Sequence, residues 1–237
     1  MSSILETVEW GQSILNILSH TKKLDPNLPA IMHIRHTERP MNPLGNPEGF
    51  TLLSTEQGKQ GAYELGSRLP TNRKYRIYHT IIERTRETAL EIQRGLASNN
   101  VKSEVIDSFP LSTVVTRAKF SEIAKRESAI GLGLQEIGTR WLSNHYPPWA
   151  RVPSLDFAQR GASFTIENLK SADNGSFDVY VSHDTFIAPF LFHWFGIYPV
   201  DWVKFLEGFI LQLTEEKMIV ITKDGKKELY YPYWWNF

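Results

Sequence analysis

The sequence predicts an α/β fold in which helices pack on a central sheet, and three observations carry that prediction. Short apolar runs that end abruptly in charge, AIMHIRH, YRIYHT and VYVSHD, read as buried strands whose carboxyl ends open onto a cleft. Stretches with helical apolar spacing follow those runs. The last thirty or so residues read as β-ribbon, broken by polar turn signals.

In chain order, Ile4, Leu5, Val8, Trp10, Ile14, Leu15 and Leu18 predict one amphipathic helix over Ser2–Leu18 that packs outside the sheet. Ala30, Ile31, Met32 and Ile34 form the first strand, and Pro43, Gly45, Pro47 and Gly49 mark Met41–Phe50 as a loop. Over Leu53–Leu69, Ser54 with Gln57 suits a capping box, and Ala62, Leu65 and Leu69 form a buried stripe. Gly58, Gly61 and Gly66 cost a helix about 1 kcal/mol each relative to alanine, which implies close packing there or a close approach by a ligand loop. Tyr75–Tyr78 is a second strand, with a helix after it that carries Ile82, Ala89, Ile92 and Leu96 on one face. Lys102–Ile106 is a third strand. The pattern then loosens over Asp107–Ala172, a helical insertion expected to lie over the site, with helices near Phe120–Ile130 and from Ser154 to about Leu169 and, between them, a glycine-punctuated GLGLQEIG followed by a Trp- and Pro-rich link, WLSNHYPPWARVP. Val179–Val181 returns to the sheet, Thr185 opens an apolar helix, and GFILQL, MIVIT and KELYYPY form the ribbon. The closing YYPYWWNF reads as core or as an oligomer contact.

Composition narrows the function. Across 237 residues, 26 basic side chains balance 26 acidic ones, so no global field favours nucleic acid or an anionic membrane. The chain has no cysteine, which excludes thiolate catalysis and a disulfide framework. The first residues lack a basic segment of the signal-peptide kind, and no window nears the roughly 18 apolar residues that span a bilayer. A cytoplasmic protein is the expectation.

An anion site must therefore be a local concentration of arginines, and the strand ends supply one. Arg35, His36 and Arg39 follow the first strand, Arg84 opens the helix after the second, and His183–Asp184 follows the last parallel strand. Arginine offers a planar fork of donors to a tetrahedral oxyanion, and a neutral imidazole is a nucleophile. Taken alone, Arg35-His36-Thr37-Glu38-Arg39 also reads as a solvated loop in which Glu38 pairs an arginine, and Arg84 as a surface partner of Glu83 or Glu87. Taken together, these groups are what phosphoryl transfer needs without a metal: charge neutralisation, an in-line nucleophile and a proton for the leaving oxygen.

At these residues the chain resembles the histidine phosphatase superfamily, which includes cofactor-dependent phosphoglycerate mutases and histidine acid phosphatases. Arg35-His36-Thr37 is similar to its Arg-His-Gly signature, LSTEQG (Leu53–Gly58) to its Leu-Thr-x-x-Gly helix start, TIIERTRETA to the element that carries its third arginine, here Arg84, and SHDTFIAPFL to its late histidine motif. The resemblance implies a single domain over 1–237, three-layer α/β/α with a mostly parallel, phosphoglycerate mutase-like sheet, a helical insertion at about 107–172 and a C-terminal β-ribbon. It implies a phosphatase acting on a small phosphomonoester through a phosphohistidine, with no cofactor and no metal. His36 is then the nucleophile, Asp184 the proton donor, and Arg35, Arg39, Arg84 and His183 the phosphate clamp. The His183–Asp184 pair and Arg39 resemble the acid phosphatase branch; a mutase-like member would carry its donor in the insertion, where Glu122 is the nearest candidate. Thr37 and Thr80-Ile81 depart from the family's glycine and Ser-Pro. As donor, Asp184 has to hold its proton above the ordinary value of about 3.9, so an acidic to neutral optimum is expected. The rival readings are a mutase-type phosphoryl transferase, a binding module for phospho-ligands, and a metal hydrolase with His33, His36 and His183–Asp184 as ligands.

Overall fold

The computed structural model of the chain describes residues 3–42, 47–106 and 117–235. Pro43 and Gly45 of the expected loop, and 107–116 of the expected insertion, lie outside the described residues. The segment expected to be one helix is two, α1 (Ile4–Thr7) and α2 (Gly11–Ser19). The chain turns back between them because Gly11 sits on the backbone of Leu5, where a Cβ would lie 2.1 Å from the Leu5 carbonyl oxygen. Glu64, from the next helix, accepts the Ile4 and Leu5 N–H groups at 2.8 and 3.1 Å and so satisfies the free end of α1.

Strand β1 (Ala30–Arg35) enters the site as expected. Helix α3 (Glu56–Arg68) is capped by Thr55 rather than Ser54, its hydroxyl accepting from Gly58 N at 2.9 Å. Thr55 wins because its N–H is also held by the Glu38 carbonyl (3.0 Å), and its hydroxyl donates to the Glu38 carboxylate (2.6 Å). The next elements are β2 (Lys74–His79), α4 (Glu83–Ala97) and β3 (Ser103–Ile106). Helices α3 and α4 approach through Gly66, where a Cβ would stand 2.1 Å from the Ile92 carbonyl oxygen. The expected cost of that glycine is thus explained by packing.

The insertion holds α5 (Arg117–Ala129), α6 (Leu134–Leu142) and α7 (Ser154–Ser171). Helix α6 forms across the glycine-punctuated GLGLQEIG and the first residues of the link expected at WLSNHYPPWARVP: Glu136 accepts the Gly133 N–H at 3.0 Å, so Gly133 lies at its start, and Gly138 lies on a face packed against Trp202. Then come β4 (Ser176–Ser182), α8 (Asp184–Phe195), β5 (Gly208–Leu213), β6 (Lys217–Thr222) and β7 (Gly225–Tyr230).

All seven strands form one sheet in the order β3-β2-β4-β1-β5-β6-β7. The first four are parallel, and β5, β6 and β7 continue antiparallel from β1. The C-terminal ribbon is therefore the edge of the main sheet. Strand alternation sorts the core: Met32, Ile34, Val179 and Ile210 face α1–α4, whereas Ile31, Tyr180, Phe209 and Leu211 face α6, α7 and α8. Trp235 of the closing aromatics packs edge-on against Trp194 in this second core, while Tyr233 is fully exposed. No helix among the described residues is long and apolar enough to cross a membrane.

His33 belongs to the second core. Its ring is stacked on Tyr180 at 5.1 Å and enclosed by Phe209, Phe190 and Trp194, with Nε2 3.1 Å from the Thr165 hydroxyl. Burial lowers its pKa to about 3. The unfolded chain binds that proton near pH 6.5, so stability from a neutral His33 is complete above pH 6.5 and is lost as pH falls toward 3. Between pH 7 and 5 the loss from this residue amounts to about 2 kcal/mol. Urea denaturation of His33→Phe should accordingly show a shallower decline over that interval than wild type; parallel declines would contradict a buried, neutral His33.

Candidate active site

The carboxyl ends of β1, β2 and β4 meet at one edge, where ligands bind in open α/β sheets. Pairing of Arg35 with Ser182 and of His79 with Val181 sets their level. His36 continues the ladder, its N–H donating to the Ser182 carbonyl at 2.8 Å, so that the His36 and His183 rings lie 5.4 Å apart.

His36 is buried and held in one tautomer. Its Nδ1 lies 2.7 Å from the Thr37 carbonyl oxygen, which requires a proton on Nδ1 and leaves the lone pair on Nε2. Burial, and then the charges of His183, Arg35 and Arg84, hold its pKa well below the ordinary histidine value, so the ring is neutral at physiological pH. Thr37 is buried, and its hydroxyl donates to the Gly58 carbonyl at 2.6 Å while its N–H donates to the Thr88 hydroxyl at 3.1 Å. Its φ is not positive, so this loop does not need the family's glycine. Thr88 in turn donates to the Arg84 carbonyl at 2.8 Å, and one hydroxyl thus joins the nucleophile loop to α4.

Arg84 is buried and not a surface partner of Glu83, which pairs Arg86 instead. Its Nε–H points at His36 Nε2 at 3.0 Å, and Nη1 donates to the Gly49 carbonyl at 2.9 Å. Burial, reinforced by Arg39 and Arg35, pushes its pKa down to about 10, still protonated at neutral pH. Arg35 lies 4.3 Å over the Phe205 ring, donates to the Val203 carbonyl and meets Asp184 at 3.3 Å. Arg39 donates to the Pro40 carbonyl at 2.7 Å, and burial and Arg35 lower its pKa. His183 Nε2 lies 3.1 Å from the Thr80 hydroxyl, so threonine at the position of the family's serine retains a hydroxyl there. All six residues singled out in the sequence converge.

Asp184 is the counter-charge. Burial alone pushes its carboxyl up, but Arg35, His183, the Trp202 indole N–H at 3.2 Å and the Thr185 N–H at 2.8 Å together hold it below the ordinary value. The elevated pKa expected of a proton donor is therefore not met in the phosphate-free site. Glu122 is exposed on α5.

One contributor was not visible in the sequence. The segment before β5, WVKFLE, supplies the Trp202 N–H to Asp184, the Val203 carbonyl and Phe205 ring to Arg35, and the Glu207 carbonyl to the Arg35 N–H at 2.9 Å. Trp202 and Leu206 both sit at φ 54°, a conformation that costs a bulky side chain roughly 1–3 kcal/mol. No motif or periodicity marks them.

Residues 31–226 match the family model of the histidine phosphatase superfamily, branch 1. The chain belongs to the histidine phosphatase superfamily. That membership makes it a phosphatase-type enzyme, and the likeness of His183–Asp184 to the acid phosphatase branch is a local feature of the site, within a branch 1 match. Among solved structures, it is similar to a mycobacterial glucosyl-3-phosphoglycerate phosphatase complexed with VO3 (14% identity over 77% of this chain and 92% of that one, TM-score 0.53). It is also similar to a mycobacterial hydrolase (12%, 86% and 93%, TM-score 0.56). A third is the phosphoglycerate mutase of Bacillus anthracis (14%, 86% and 92%, TM-score 0.50). At such identities the likeness establishes the fold. No curated protein matches the chain.

Arg35, Arg39 and Arg84 lie close enough to repel one another beside the Asp184 carboxylate, a repulsion that a bound anion would relieve. Arg39→Gln should weaken binding of inorganic phosphate about tenfold in calorimetry, without lowering the melting temperature of the phosphate-free protein. Equal affinity in the two proteins would remove Arg39 from the clamp.

Proposed function

We propose that the protein is a metal-independent phosphomonoesterase that acts through a phosphohistidine on a small phosphorylated metabolite. The observation that carries this reading is the His36 Nε2 lone pair, fixed by the Nδ1–H bond to Thr37 and placed among Arg35, Arg39, Arg84 and His183. His36 attacks phosphorus in line, the bond from phosphorus to the ester oxygen breaks, and Asp184 gives that oxygen its proton. Water then attacks the phosphohistidine, its proton passes to Asp184, and the P–N bond breaks to release phosphate. The four basic groups neutralise the equatorial oxygens throughout.

Asp184 must acquire a proton for the first step. A phosphate dianion brings negative charge beside the carboxylate and draws Arg35 toward itself, and both effects raise the carboxyl's proton affinity. The donor is thus made by the substrate, which supports Asp184 over the exposed Glu122. The metal-hydrolase alternative is disfavoured because His33, one of its ligands, is locked in an aromatic cage away from His36. The mycobacterial neighbour's named substrate, a glucosyl phosphoglycerate, belongs to the small-metabolite class proposed here.

Hydrolysis of p-nitrophenyl phosphate, with and without EDTA, tests the reading. Turnover should persist in EDTA, vanish in His36→Ala, and leave an acid-labile, base-stable phosphoenzyme on brief mixing. Asp184→Asn should reduce kcat/KM for alkyl phosphates by about 10²–10⁴. Loss of turnover in EDTA would instead establish a metal hydrolase, and a phosphoenzyme that transfers to alcohols but not to water would establish a mutase.

A further inference from the structure

Trp202 is an expensive residue for its place. Its φ of 54° lies in the left-handed region, where a bulky aromatic is a true outlier, yet its ring is 95% removed from solvent. Backbone strain of this kind persists only where the surroundings over-determine it. Here they do so from two sides. Behind the ring stands Gly138 of α6, where a Cβ would lie 2.0 Å from the Trp202 Cη2, so the glycine leaves the space that the indole fills. In front, the indole N–H reaches the Asp184 Oδ2 at 3.2 Å. Asp184 Oδ1 is held separately by the Thr185 N–H at 2.8 Å, and Arg35 meets Oδ2 at 3.3 Å.

We propose that Trp202 is a positioning residue for the proton donor: its indole N–H fixes the Asp184 Oδ2 toward the leaving oxygen, and α6 of the insertion holds the indole through Gly138. This rests on Asp184 being the acid. When substrate draws Arg35 onto phosphate, the indole N–H and the Thr185 N–H remain to orient the carboxyl. A neutral donor is suited to that task, because it holds the group without opposing its protonation as strongly as a guanidinium does. The charged groups that face Asp184 are Arg35, Arg39 and His183 from the strand ends, Arg84 from α4 and Arg151 from the loop before α7. Trp202 adds geometry to that field and no charge.

Leaving-group dependence separates positioning from general structural support. p-Nitrophenolate departs at neutral pH without a proton, whereas an alkoxide needs one. Trp202→Phe keeps an aromatic ring, though a smaller one, and deletes the N–H. It should lower kcat/KM for an alkyl phosphate about tenfold and change that for p-nitrophenyl phosphate less than about twofold. In the Asp184→Asn background the same substitution should add no further loss. Gly138→Ala, which pushes the indole off its place while keeping the N–H, should reproduce the selective loss and serves if Trp202→Phe fails to fold. Equal losses on both substrates, or an undiminished loss in Asp184→Asn, would make Trp202 a packing residue only. If Asp184→Asn itself shows no leaving-group dependence, the acid assignment falls; if His36→Ala retains turnover, the phosphohistidine reading falls. The three outcomes are distinct.

Discussion

The parallel pairing of β1 with β4 is the constraint from which the site follows. Arg35 stands opposite Ser182, and the next ladder bond, His36 N–H to the Ser182 carbonyl, carries the pairing one residue past the strand. Both chains then leave the sheet at the same level, each delivering an imidazole, and the rings meet 5.4 Å apart. A slip of one residue would send His36 to the other face of the sheet and every core side chain with it. Register is held because Met32 and Ile34 fill one core and Ile31 and His33 the other. The hydrophobic pattern of β1 therefore specifies the position of His36.

Electrostatics works against that arrangement and is the second organising fact. Three guanidiniums and two imidazoles gather where water is scarce, and burial first, then the neighbouring guanidiniums, lower the pKa values of Arg39 and Arg84. Asp184 offsets part of the cost by standing where an anion belongs, against Arg35 and His183. Arg84 directs its Nε–H to the His36 Nε2 lone pair at 3.0 Å. The donors of the site are thus held by contacts within the protein, and under the proposed function each would turn to a phosphate oxygen in a charge-assisted bond.

How much of this could be read from sequence follows from the range of the interactions concerned. The strand ends were legible because an apolar run that breaks into Arg, His or Asp changes character within one residue, and the sheet supplies the reason. Arg84 was legible only in company, since a helix arginine beside Glu83 and Glu87 looks like a surface residue until β2 is known to end next to β4. Local signals misled where two neighbours competed or a tertiary contact intervened. Ser54 and Thr55 are equally good caps, and Glu38, seventeen residues away, selects the second. The break between α1 and α2 comes from Gly11 meeting Leu5, and nothing in the apolar spacing of that stretch shows it. In α6, glycines that read as punctuation are packing surface.

The segment that sequence missed altogether has a topological explanation. β5 runs antiparallel to β1, with Gly208 opposite Ile34 at the carboxyl end of β1. A chain entering β5 must therefore pass over the phosphate end of the sheet, whatever its residues. Gly208 permits the close entry, since a Cβ there would lie 1.8 Å from the His33 carbonyl oxygen. Reversal within so few residues accounts for the positive φ at Trp202 and Leu206, and the same reversal turns the Val203 carbonyl and the Phe205 ring toward Arg35. In an all-parallel sheet this edge of the pocket would be open. The antiparallel extension closes it, and the strained backbone at its threshold is where the fold brings an indole N–H to Asp184.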